Sequence, residues 1–156
     1  MTSDDIMDRI EGWHDGRQWS CIRELRVGTG FSGDSMQRID LWIMNNWPSR
    51  GFERIAYEVK VSRGDFLREI KKPWKRKAAM RLSNMFFFAA PLGLLKAREI
   101  PEGCGLLEIP MMGRGKVTVP AKFREDQVPE WVFVSTLARR ASEAEQDLRA
   151  ERLESQ

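Results

Sequence analysis

The stretch RIAYEVKVSRGDF, residues 54–66, decides the fold. Ile55, Ala56, Tyr57, Val59 and Val61 have the composition of a buried strand. Glu58 and Lys60 interrupt that run. Side chains on a strand alternate between faces, so these two charged groups point the same way. The second half changes period. Ser62 followed three residues later by Asp65 resembles a capping box, with Asp in place of the usual Glu. Phe66, Ile70 and Trp74 then recur at four-residue steps, the apolar stripe of a helix. A strand thus runs into a capped helix, and a carboxylate and an ammonium sit side by side where one gives way to the other.

Working outward, residues 52–61 form the third predicted strand and RIDLWIM, residues 38–44, the second. Residues 21–27 form the first, ending at Gly28-Thr29-Gly30. GTGFSGDSMQ, residues 28–37, is a Gly/Ser-rich loop long enough to be mobile, and NNWPSRG is a turn of breaker residues. Residues 3–14 read as a helix capped by Ser3, with Ile6, Ile10 and Trp13 at helical spacing. Downstream, Pro73 should kink or divide the helix. NMFFFAA, residues 84–90, reads as a strand buried on both faces and stopped by Pro91. Residues 105–109 and, more weakly, 116–119 are further strands, and a helix begins near Glu130. The order is that of an α/β fold with a mixed sheet. One domain covers residues 1–140, and residues 141–156 form a polar tail or helix extension.

The chain has 156 residues, 42% hydrophobic and 31% charged. That suits a single domain with a real core. No run approaches the roughly 18 apolar residues that span a membrane. The N-terminus MTSDDIMDRI lacks a signal peptide's apolar core. Cys21 and Cys104 lie far apart with no CxxC or Cys/His cluster, which argues against zinc and for a reducing, cytoplasmic setting. The net charge is +3, but its distribution matters more. Between Arg63 and Arg81 lie eight basic residues, opposed only by Asp65 and Glu69. Such a concentration is the electrostatic footprint of a nucleic-acid partner, or else a solvated helix face.

Strand two supplies another carboxylate. Asp40 sits between Ile39 and Leu41, where burying an unpaired charge costs several kcal/mol unless it is paired or binds a metal. Neighbouring strands bring Asp40, Glu58 and Lys60 towards one another. Carboxylate oxygens are the hard ligands Mg²⁺ or Mn²⁺ prefers, and Mg²⁺ uses only one or two of them. A metal there would lower the pKa of a bound water, and Lys60 would position that water or neutralise charge developing on a phosphodiester. The plain alternative is a strand salt bridge beside a capped Asp.

Asp40 with Glu58-Val59-Lys60 resembles the PD-(D/E)xK nuclease superfamily, whose core is a helix, three meandering strands, a helix and a further strand. More narrowly, ELRVG, RIDLWIM, YEVKVSRGDFLREIKK and FFFAAP, in that order, resemble the MmcB-type family assigned to DNA repair. The resemblance spans roughly residues 20–110, and Ile39 stands where the superfamily often has Pro. It implies a restriction-endonuclease-like core and a metal-dependent deoxyribonuclease. Asp40, Glu58 and the Val59 carbonyl would bind Mg²⁺, with Mn²⁺ able to substitute, and Lys60 would be the catalytic lysine. Glu24 corresponds either to the extra acidic residue many members carry or to an exposed strand carboxylate paired with Arg23 or Arg26. Resolvases of this fold are commonly dimers, so a homodimer is among the arrangements implied.

On the DNA side, Arg63 at the helix N-terminus is a candidate phosphate contact. Lys71 and Lys75, four apart, would track the backbone together with Lys72 and Arg76. Trp42, Trp74 and Trp131 fall at core-like positions, whereas Trp47 lies on an exposed turn. His14 is a surface residue. Two other classes remain open: a catalytically inactive DNA-binding module of the same fold, and an interaction domain whose basic helix meets an acidic protein.

Overall fold

The computed structural model describes residues 1–27, 37–125 and 129–155. Of the expected Gly/Ser-rich loop, only Gln37 falls within them. The chain is α/β: α1 (Ser3–Gly12), β1 (Trp19–Arg26), β2 (Arg38–Asn45), β3 (Arg54–Val59), α2 (Arg63–Ile70), α3 (Trp74–Arg81), β4 (Met85–Pro91), β5 (Gly105–Ile109), β6 (Lys116–Val119) and α4 (Trp131–Glu154). The strands form one mixed sheet in the order β1-β2-β3-β4-β5-β6. The first three are an antiparallel meander, β3, β4 and β5 run parallel, and β6 returns antiparallel at the edge. Helix, three-strand meander, helix and strand is the arrangement of a restriction-endonuclease-like core.

The sheet is covered on both faces, as parallel strands require. Ile6, Met7 and Ile10 of α1 pack against Leu41, Ile43, Ile55, Tyr57, Val59, Phe87 and Ala89. Thr2, rather than Ser3, caps this helix, and Asp5 completes the capping box. The opposite face holds Trp42, Ala56, Phe66, Ala78, Phe86, Phe88 and Phe133. Its rings meet edge to face, with centroids 5.1 Å apart for Phe66 and Phe88 and 5.4 Å for Trp42 and Phe133, the arrangement the ring quadrupoles favour. β4 therefore contributes alternate residues to both cores, which is why NMFFFAA is apolar throughout.

Alternation along β3 places Ile55, Tyr57 and Val59 under α1 and Ala56, Glu58 and Lys60 under α2. The same rule breaks in β1 and β2. Ile22 and Leu25 join one core although three residues apart, and so do Ile39 and Trp42. Glu24 has a left-handed φ of 50°, which inverts the parity of β1. Arg23↔Leu41 and Leu25↔Ile39 flank it in the register, so Glu24 lies opposite Asp40. The β2–β3 ladder ends one step short of this level, at Leu41↔Tyr57.

Pro73 divides the predicted basic helix. α2 ends with Lys71 as its C-cap, and α3 starts after Pro73. Ser62 caps α2 through the Asp65 N–H, while the Asp65 carboxylate pairs with Arg68 instead of returning to the cap. Two tryptophans correct the sequence reading. Trp42 is buried in the core, but Trp74 is 59% and Trp131 84% exposed. The break at Pro73 resets the helical phase, so Trp74 no longer continues the Phe66–Ile70 stripe. α4 turns only Phe133 and Thr136 fully inward, which leaves Trp131 outside. Among the described residues, no helix is long and apolar enough to cross a membrane.

Candidate metal centre and nucleic-acid face

The site forms where β2 peels away from β3. Extending the register one step past Leu41↔Tyr57 sets Asp40 opposite Glu58. The Lys60 N–H donates to the Ala89 carbonyl on β4 at 2.9 Å, so by strand alternation the Val59 peptide groups face β2. With the ladder ended, the Asp40 side chain takes the acceptor's place: Val59 N–H donates to Asp40 Oδ2 at 2.8 Å. Lys60 is buried, and its Nζ donates to Glu58 Oε1 at 2.7 Å and to Glu69 Oε2. Glu69 belongs to the last turn of α2, which folds back over the end of β3.

Two carboxylates, Glu58 and Glu69, thus pair with one ammonium, and Asp40 lies near enough to feel its charge. Burial pushes the Asp40 carboxyl up, a rise that Glu69 adds to and that Val59 N–H, Lys60 and Arg38 only partly offset. Burial, followed by the nearby charge of Asp40, pushes Glu58 up to about 8. For Lys60, burial acts downward, but Glu58 and Glu69 outweigh it and hold the ammonium above its ordinary value. The cluster is thus short of positive charge. Asp40 Oδ1 and Glu58 Oε2 have no hydrogen-bond donor among the described residues.

Asp40, Glu58, Val59 and Lys60 are brought together as the sequence pattern requires. Glu24 is not: its carboxylate is 61% exposed and meets Arg38 at 3.7 Å, while Arg140 holds its carbonyl at 3.4 Å. Arg63 forms a two-pronged pair with Glu99, at 2.8 and 2.5 Å. Arg76 is partly buried beside Cys104, and its Nη1 is enclosed without a hydrogen-bond partner. Lys71, Lys72 and Lys75 are exposed, but Lys71 and Lys75 fall on either side of the Pro73 break and share no helix face.

Lys72 and Lys75 do line a polar cavity of about 330 Å³ with Ser3, Val59, Lys60, Val61, Asp65, Arg68 and Glu69. Glu69 is the residue the sequence did not single out. Its signal was its isolation, as one of two carboxylates among eight cations. Among the described residues no group of three or more His, Cys, Asp or Glu is arranged to hold a metal. The donors that the sequence resemblance implies, Asp40, Glu58 and the Val59 carbonyl, include two carboxylates, and Mg²⁺ ordinarily uses one or two.

No family model matches the chain, and no curated protein matches it. Among solved structures it is similar to a protein of unknown function from Silicibacter pomeroyi, SPO1766, at 18% identity and a TM-score of 0.62. The match covers 97% of this chain and 92% of that one. At that identity the likeness shows a shared fold.

Proposed function

We propose that this protein is a divalent-cation-dependent phosphodiesterase that cleaves DNA. The observation that carries this is the pair of unclaimed oxygens, Asp40 Oδ1 and Glu58 Oε2, in a cluster with three carboxylates and one ammonium. Mg²⁺ or Mn²⁺ held by Asp40, Glu58 and the Val59 carbonyl would supply the missing positive charge, acidify a bound water and polarise a phosphoryl oxygen. The chain's own residues do the rest. Lys60 stays protonated between Glu58 and Glu69. It therefore acts as a hydrogen-bond donor and fixed cation for charge developing on the phosphate, not as a proton acceptor. Glu69 positions Lys60. Lys72 and Lys75 at the cavity give the strand's phosphates cationic partners, while Arg68 beside them is held by Asp65. Free thiols at Cys21 and Cys104 suit a reducing cytoplasm.

The test is a panel of duplex, flap, junction and single-stranded DNAs incubated with Mg²⁺, Mn²⁺ or EDTA. Cleavage is expected with metal alone, and Lys60→Ala should lower it by about 10²–10³-fold while the fold persists by circular dichroism. DNA binding without cleavage under every metal condition would instead make the protein an inactive module of this fold.

A further inference from the structure

Lys75 N–H donates to the Lys72 carbonyl at 3.0 Å, closing a turn that holds Pro73 and Trp74 at its middle. Both ends of this turn, Lys72 and Lys75, line the cavity that contains Lys60. Trp74 is 59% exposed, although an indole is among the largest apolar surfaces a side chain has to bury. The Gln37 side chain reaches its backbone, Nε2 donating to the Trp74 carbonyl at 3.3 Å. Lys71, Lys72, Lys75 and Lys77 surround it in sequence, all exposed and none paired with a carboxylate among the described residues. Of the other exposed indoles, Trp131 follows Glu130, which is occupied by Arg81 at 2.7 Å, and Trp47 lies on the turn before β3.

An exposed indole on a hydrogen-bonded turn among unpaired lysines suits one kind of ligand. Duplex DNA keeps the faces of its bases stacked inside and presents phosphates and groove edges. An unpaired strand presents both phosphates and base faces, which lysines and an aromatic ring read together. We propose that Trp74, flanked by Lys72 and Lys75, is a stacking platform for a base of single-stranded DNA whose neighbouring phosphate enters the Lys60 cavity. This rests on the DNA-cleaving site proposed above and names its substrate as an unpaired strand.

The test is binding in EDTA, where no cleavage intervenes. Labelled oligothymidylate and a blunt hairpin duplex are titrated by fluorescence anisotropy against wild type, Trp74→Ala and Trp74→Phe. Trp74→Ala should weaken oligothymidylate binding by about fivefold or more and leave duplex binding within about twofold, while Trp74→Phe keeps most of the affinity. The exposed position means that neither variant should change the melting temperature. Equal losses on both DNAs, no loss on either, or no binding of the unpaired strand by wild type would overturn the proposal. Manganese-dependent cleavage is scored separately. A Trp74-dependent preference for oligothymidylate without cleavage supports the platform and removes only the nuclease assignment.

Discussion

Glu58 is held in two incompatible ways. Its hydrogen bond to Lys60 favours the carboxylate, while burial and Asp40 favour the acid. The balance lifts it to about 8 from an ordinary 4.5. The folded protein therefore binds this proton more tightly than the unfolded chain does. In the metal-free protein this group's contribution to stability is largest below pH 4.5 and is lost as pH rises through about 8, as proton linkage requires. Glu58→Gln removes the titration and keeps a carbonyl acceptor for Lys60. Thermal melts in EDTA across that window should show a decline in wild type that is flattened in Glu58→Gln, with the variant the more stable on the alkaline side. A parallel decline in both would show that Glu58 ionises normally. A cation bound as proposed would relieve this group by favouring its charged form.

At the scale of elements, β5 must pass close to β4. A Cβ placed on Gly105 would lie 2.3 Å from the Phe87 ring and 2.9 Å from the Ala121 backbone nitrogen. Gly105→Ala should therefore cost about 1–3 kcal/mol in chemical denaturation, as overpacked cores do. The strands themselves were legible because their apolar runs are short and bounded by Gly, Pro and Asn. Pro73 likewise announced the break between α2 and α3. What the break does to Trp74 was not legible, because four-residue spacing from Ile70 has meaning only along one continuous helix. Asp40, Glu58 and Lys60 were legible because a charge in an apolar strand has few innocent explanations. Glu69 was not, since its meeting with Lys60 depends on α2 folding back over β3. The inward turn of Arg76 and the Arg63–Glu99 pair are also tertiary facts that a run of basic letters cannot distinguish from a free cationic face.

Across the whole molecule, exposed basic residues are widespread, from Arg17 to Arg152. Their densest run in sequence, Lys71, Lys72, Lys75 and Lys77, lies at the turn between α2 and α3, where Lys72 and Lys75 line the Lys60 cavity. The second half of α4, beyond Arg140, is exposed and carries more acidic than basic groups. A polyanion that enters the cavity would meet this run of lysines. Each phosphate neutralised releases counterions, so affinity falls steeply with salt. The double variant Lys72→Ala/Lys75→Ala should weaken binding to all DNA sequences alike and reduce the slope of log affinity against log salt by about 2. An unchanged slope would place the phosphates elsewhere on the surface.

Cation binding itself is the most direct measurement. Mn²⁺ titrated calorimetrically into metal-free protein at neutral pH, in two buffers of different protonation enthalpy, reports both occupancy and protons released. A saturable site is expected, with proton release as Glu58 gives up its proton, and Asp40→Asn should abolish it while the Asn carbonyl still accepts from Val59 N–H. The absence of saturable heat in wild type, or binding that survives Asp40→Asn unchanged, would contradict a metal centre between β2 and β3.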